Sequence, residues 1–158
     1  MNGPTRVYVG MVADLLHPGH IAVLAEAKRI AGPGGVVLVG LLTDKAVEAY
    51  KGRLPVYTWR ERAVVLGALR AVTVVVPQHT LDYEPNLRKY RPDFVVHGDD
   101  WRTGTQAATR ANVIAVLGEW NGTLIEPAYT EGISTTEAIS RIISRNVHRG
   151  GPAAAQGD

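Results

Sequence analysis

The order of apolar runs predicts an α/β fold: a Rossmann-like single domain with a central five-stranded parallel sheet flanked by helices. Three observations carry that prediction. Val36 to Leu42 is a near-continuous apolar run, the pattern of a strand covered on both faces, as in a parallel sheet. Such strand-length runs alternate along the chain with segments of helical spacing. The polar residues able to do chemistry follow the carboxyl ends of the strands, where ligands bind in open parallel sheets.

The elements justify themselves in order. Arg6 to Met11 reads as the first strand, and Pro18 to Ala31 as a helix with Ile21, Leu24, Ala25 and Lys28 at helical spacing. Gly32-Pro33-Gly34-Gly35 stops that helix ahead of the strand Val36 to Leu42. Thr43-Asp44 opens a short helix to about Tyr50. Thr58-Trp59-Arg60-Glu61 is a capping box leading an amphipathic Arg62 to Leu69. Val72 to Val76 is expected as the third strand, closed by Pro77, with a short helix after Pro85. Phe94 to His97 is expected as the fourth strand, Thr105 to Trp120 as a helix and Gly122 to Glu126 as the fifth strand. Ser134-Thr135-Thr136-Glu137 is a second capping box that opens a last helix to about Val147. Residues 1–149 are expected to form the one domain, with 150–158 a flexible tail.

Composition narrows the function classes. The chain has 158 residues, enough to bury a core without staples, with 46% hydrophobic and 20% charged residues. Cysteine is absent, which excludes disulfides, thiolate metal sites and cysteine nucleophiles. The net charge is only +2 and the basic residues are scattered, so no nucleic-acid surface is expected. No apolar run is long enough to span a bilayer, and no basic lead with an apolar core marks a signal peptide, so no membrane partner and a cytoplasmic location are expected.

The organising stretch is Tyr8 to His20, a strand that turns directly into a helix with His17-Pro18-Gly19-His20 at the turn. A helix start presents free N–H groups and partial positive charge to phosphate oxygens. Two imidazoles there add donors that titrate near neutral pH, and Gly19 removes a side chain where a ligand would approach. Zinc is the weaker reading, because a third ligand has no clear place. No Gly-Lys-Ser/Thr makes a P-loop, and the glycine cluster at 32–35 ends a helix instead of opening one. Asp99-Asp100 can bind a metal, accept from a base amino group or cap a turn. Ser134, Thr135 and Thr136 are explained by capping alone, yet the same hydroxyls and N–H groups would serve a phosphate.

Taken together these residues resemble the nucleotidyltransferases marked by His-x-Gly-His, and within them the cytidylyltransferases. His17-Pro18-Gly19-His20 matches the first signature, and Thr130-Glu131-Gly132-Ile133-Ser134-Thr135-Thr136 the second, R-T-E-G-I-S-T-[ST], except at its first position, where Tyr129 replaces Arg. Gly98-Asp99-Asp100-Trp101 looks like the nucleotide-binding turn of glycerol-3-phosphate cytidylyltransferases. The phrases Gly40 to Lys45, Leu81 to Tyr90 and Val95 to Trp101 are similar to cytidylyltransferase domains of phosphonate biosynthesis. The resemblance implies transfer of CMP from CTP to a small phosphonate, of the phosphonoformate or 2-hydroxyethylphosphonate type, with release of pyrophosphate. Its alternatives are a glycerol-3-phosphate or phosphoethanolamine acceptor, an adenylyltransferase, and a nucleotide-binding module without chemistry.

On that reading His17, His20, Lys51 and Arg62 are the catalytic set. Met11, Val12, Ala13, Asp14, Gly19, Asp99, Asp100, Thr130, Gly132, Ile133, Ser134, Thr135 and Thr136 hold the nucleotide. Asp44, Tyr83, Arg88, Arg102, Arg110 and Tyr129 are candidates for the acceptor. Mg²⁺ is expected on the triphosphate oxygens, with Asp14 an indirect contact and no protein ligand of its own. With Tyr129 in place of Arg, a positive charge is missing or comes from Arg102 or Arg110. Val12 replaces a Ser or Thr hydroxyl, leaving its backbone N–H. The family's dimer stretch is kept only partly in Arg70-Ala71-Val72-Thr73, and a homodimer is the expected assembly.

Overall fold

The computed structural model of the chain describes residues 3–128 and 130–147. Five strands, β1 (Arg6–Met11), β2 (Val36–Leu42), β3 (Val74–Gln78), β4 (Phe94–Val96) and β5 (Thr123–Ile125), form one sheet. Around it lie α1 (Pro18–Ala31), α2 (Asp44–Lys51), α3 (Trp59–Gly67), α4 (Glu84–Tyr90), α5 (Ala107–Gly118) and α6 (Thr135–Val147). All strand pairs are parallel, in the order β3-β2-β1-β4-β5. The chain therefore winds outward from β1 in one direction, then crosses back to its other side with β4. The crevice between the ends of β1 and β4 is the switch point at which such sheets take their ligands.

Side chains on successive strand residues face opposite ways, and each face carries its own core. Val7, Val9, Val37, Val39 and Leu41 pack with Leu24 and Ala27 of α1 and Leu66 of α3. Tyr8, Leu38 and Val95 pack with Leu87 of α4 and Val113, Val116 and Leu117 of α5. Gly10 and Gly40 sit opposite each other in the β1–β2 ladder. A Cβ on Gly40 would fall 1.7 Å from the Tyr8 hydroxyl, and one on Gly10 2.4 Å from that of Tyr83. The two bare positions let these phenols lie across the sheet, where Tyr8 donates to Gln78 Oε1 at 2.8 Å and Tyr83 to the Gly10 carbonyl at 3.3 Å.

The elements fall where the sequence puts them, with ends displaced by one or two residues, and two of these shifts have a plain cause. β3 starts later than Val72 and continues through Pro77 to Gln78. It is an edge strand, so a proline there loses no ladder bond, while the Val72 N–H turns back to the Leu69 carbonyl at 3.0 Å. The helix expected from Thr105 begins as a single 3-10 turn, Gly104–Gln106, before α5, and α5 stops at Gly118 instead of reaching Trp120. Residues 150–158 lie outside the described residues. Among the described residues no helix is long and apolar enough to cross a membrane.

Candidate active site

The loop that leaves β1 is bent tightly before α1 begins: Ala13 and Leu15 both have positive φ, 50° and 51°. Such backbone costs energy in a residue with a Cβ, so something must hold it. Three ties do. The buried Thr135 hydroxyl at the start of α6 donates to the Asp14 carbonyl at 2.7 Å. The Asp14 carboxylate accepts from the backbone N–H of Val56 at 2.9 Å and of Tyr57 at 3.1 Å. Arg62 of α3 donates from Nη1 to the Val12 carbonyl at 2.6 Å and from Nε to the Tyr57 carbonyl at 3.0 Å.

Beyond this loop the two histidines build the start of α1. His17 is the N-cap, and its Nδ1 accepts from the Gly19 N–H at 3.1 Å. His20 reaches back so that its Nδ1 accepts from the His17 N–H at 3.3 Å. This is a capping box made of two imidazoles. A nitrogen that accepts a backbone proton carries none of its own, so each neutral ring bears its proton on Nε2. No side-chain nitrogen or oxygen among the described residues is buried without a partner, and both histidines line a cavity, so both Nε2–H groups open onto it. The rings lie 3.9 Å apart, tilted by 36°. Burial lowers the His20 pKa to about 4, reinforced by His17 and Lys51; burial also lowers that of His17. Both are neutral donors at pH 7.

Gly19 is fixed by the same geometry. A Cβ there would stand 2.9 Å from His17 Cε1 and 3.0 Å from its Nδ1. In the same cavity lining, Ser134 caps α6, its Oγ accepting from the Glu137 N–H at 3.1 Å. That bond leaves the Ser134 hydroxyl proton for a ligand, whereas the Thr135 proton is committed to Asp14.

The cavity opens at the β1–β4 switch point. It brings together Met11, Val12, His17, Gly19, His20 and Lys51 with Tyr83, Asp100, Thr130, Ser134, Thr135 and Thr136. Lys51 ends α2 at the rim, its amine pKa lowered by partial desolvation and by Arg53. The other expected residues stand elsewhere. Arg62 is 1% exposed and is not among the lining residues; its Nη2 holds Asp44 Oδ1 at 2.7 Å, which takes Asp44 out of the acceptor pocket as well. Asp14 turns both oxygens to the 56–57 backbone, away from a metal. Ala13 is buried under the loop, and Gly132, with φ 76°, turns the chain into α6 beside Ile133 without lining the cavity.

Arg88 is on the outer surface of α4, clamped between Glu84 at 2.7 Å and Glu119 at 2.6 Å. Arg110 grips Glu126 at 2.7 Å, with Arg102 at 3.3 Å, so the two arginines considered as substitutes for the missing charge are paired with a carboxylate. Asp99 does not line the cavity; its backbone N–H donates to the Pro127 carbonyl at 3.2 Å. Tyr129 lies outside the described residues.

His97, Tyr50 and Gln106, which the sequence did not single out, also line the cavity, together with Gly98 of the turn it did. Tyr50 and Gln106 hydrogen-bond across it, joining the end of α2 to the turn before α5. Their signal was positional: each follows the carboxyl end of β2 or β4 and precedes the next strand.

The family profile described as cytidylyltransferase-like matches residues 8–141. The chain belongs to the cytidylyltransferase-like family. Among the relatives of this cytidylyltransferase-like chain, the FAD synthase of Methanopyrus kandleri is 39% identical over 95 residues, covering 60% of this chain and 63% of that one. A probable choline-phosphate cytidylyltransferase of Schizosaccharomyces pombe is 34% identical over 155 residues, covering 93% of this chain and 41% of that one. The chain thus spans less than two thirds of the curated relatives it matches. A solved structure, the lipopolysaccharide core biosynthesis protein from Thermoplasma volcanium, superposes with a TM-score of 0.65 at 21% identity, covering 81% of this chain and all of that one, and shows the same fold.

Proposed function

We propose that this cytidylyltransferase-like chain transfers a nucleoside monophosphate, CMP from CTP, to the phosphate of a small phosphomonoester, releasing pyrophosphate. The observation that supports it is that one cavity is lined both by the pair of neutral imidazoles, with their Nε2–H groups uncommitted to the helix cap, and by Ser134. An oxygen of the acceptor phosphate attacks the α-phosphorus; the new O–P bond forms as the bond to the β-phosphate oxygen breaks, and that oxygen leaves with the electron pair. The acceptor oxygen is already anionic, so positioning and charge stabilisation do the work. His17 and His20 donate to the α- and β-phosphates, Ser134 and Thr136 to the outer phosphates, and Lys51 draws the acceptor anion to the rim. The donors facing the cavity are imidazoles and hydroxyls, which suits a Mg²⁺ carried in on the triphosphate.

The phosphonate acceptor implied by the sequence phrases gains no support from the relatives; the choline-phosphate enzyme, over 93% of this chain, favours a phosphomonoester instead. The FAD synthase relative keeps an adenine nucleotide in play as donor. A homodimer and a cytoplasmic location belong to the same proposal. Exposed Val64 and Val65 on α3 and Val74 on the β3 edge, close in sequence to Arg70, support the dimer. The test is pyrophosphate release with CTP against ATP, across choline phosphate, ethanolamine phosphate, glycerol 3-phosphate and a phosphonate series. Turnover only with phosphonates would restore the narrower reading. Nucleotide binding with no release from any acceptor would leave a binding module.

A further inference from the structure

The cavity holds a third imidazole wired the opposite way. His97 follows β4, and the pairing of Tyr8 with Val95 sets the ends of β1 and β4 side by side. His97 Nδ1 lies 2.7 Å from the Gly98 carbonyl. A carbonyl only accepts, so here Nδ1 must carry the proton, and Nε2 of the neutral ring holds a lone pair. With no polar side-chain atom among the described residues buried and unpartnered, and with His97 lining the cavity, that lone pair opens onto it. The ring cannot swing away: it stacks flat on the buried Trp101, centroids 3.8 Å apart and planes at 9°. Trp101 is pinned in turn by its Nε1–H to Glu126 at 2.8 Å.

The histidines that line the cavity therefore differ in polarity. From the start of α1 two rings present donors, which suits phosphate oxygens. From beyond β4 a fixed ring presents an acceptor, with the Asp100 carboxylate, also an acceptor, in the same lining. We propose that His97 Nε2 accepts from the exocyclic amino group of the nucleotide base, selecting amino-bearing cytosine or adenine against uracil or guanine, whose carbonyl at the corresponding position would face a lone pair. This rests on the nucleotidyl-transfer reading above. It assigns the base preference to His97 and not to the aspartates of the following turn.

The test is calorimetric titration of the full chain with CTP, ATP, UTP and GTP, with pyrophosphate release measured separately. The parent should bind CTP at least about tenfold more tightly than UTP, the worth of one hydrogen bond and of the unpaired acceptor left by the wrong base. His97→Phe keeps the flat stack on Trp101 and removes the acceptor, and should bring the CTP/UTP ratio to about one. His97→Gln offers an amide oxygen and should restore part of it; thermal melts confirm that both variants fold. Equal binding of CTP and UTP by the parent, a ratio unchanged in folded His97→Phe, or a preference lost instead in Asp100→Asn would overturn the assignment. Pyrophosphate release with an unchanged ratio defeats only this inference, whereas discrimination in binding without release defeats only the transferase reading.

Discussion

Arg62→Met separates a residue that touches substrate from one that holds the site together. The guanidinium is fully buried and makes three bonds: to the Tyr57 carbonyl at 3.0 Å, the Val12 carbonyl at 2.6 Å and Asp44 Oδ1 at 2.7 Å. Removing one partner of a buried ion pair typically costs ~3–5 kcal/mol. Asp44 retains 36% of its side-chain exposure and rehydrates, which sets the expectation at the lower end, ~3 kcal/mol. For a chain of this size that corresponds to a melting temperature lower by about 6–12 °C. Methionine fills much of the volume, so the loss reports the polar ties. In a double-mutant cycle, Arg62→Met and Asp44→Asn should be strongly non-additive, because they break the same bond. Transfer measured well below the melt should show a raised nucleotide KM, since the Val12 carbonyl loses its tether, with kcat within about tenfold of the parent's. A melting temperature within about 2 °C of the parent's with transfer down more than a thousandfold would refute the reasoning and return Arg62 to the reacting groups.

Three further outcomes follow from the same geometry. Gly19→Ala should push the His17 ring off the Gly19 N–H and lower kcat/KM at least about tenfold with little change in melting temperature, because alanine suits a helix start sterically better than the imidazole allows; a normal kcat/KM would contradict it. Thr135→Val removes the buried tie to Asp14 and should cost ~1–3 kcal/mol in urea unfolding, whereas Thr136→Val, on an exposed residue, should leave stability alone and weaken nucleotide binding; the reverse pattern would exchange their roles. His20 is held neutral in the fold, with a pKa lowered from 6.5 to about 4, so the unfolded chain takes up the extra proton between those values. Stability should be full above pH 6.5 and fall as pH drops towards 4, by ~3 kcal/mol from His20 alone; urea midpoints at pH 7.5 and 5 should differ less in His20→Asn, and an equal difference would remove His20 as the cause.

The fold was legible because its signals are local and redundant. Val36 to Leu42 could only be a doubly covered strand, and Thr58 with Glu61 marked the start of α3 to the residue. The meeting of His17, His20 and Ser134 in one cavity lining was legible too, since each stands at a helix start beyond a strand end. What stayed hidden was which charges were already spent. Arg62, Arg88, Arg102 and Arg110 are alike in sequence, yet each meets a carboxylate 16 to 31 residues away along the chain, and no spacing rule announces such pairs. Asp14 looked like a polar residue of a phosphate loop, but its carboxylate serves a backbone 42 and 43 residues downstream. His97 was missed for the opposite reason: in sequence it is a lone histidine, and only its Gly98 bond fixes which nitrogen is left for a ligand.

The double use of the two motif histidines limits what their mutation can prove. Each ring spends Nδ1 on capping α1 and has only Nε2 for chemistry. Alanine at either position removes both functions at once, and losing a cap alone costs ~0.5–2 kcal/mol. A dead His17→Ala enzyme would therefore fit a shifted helix start as well as a missing donor. Asparagine separates the two, because its side-chain oxygen can cap a helix from the N-cap while its amide does not reach the Nε2 position. If His17→Asn keeps the parent's melting temperature and still loses transfer, the donor is what the reaction needs; if it restores transfer, the imidazole was there to shape the backbone, and the phosphates are held by the N–H groups of α1.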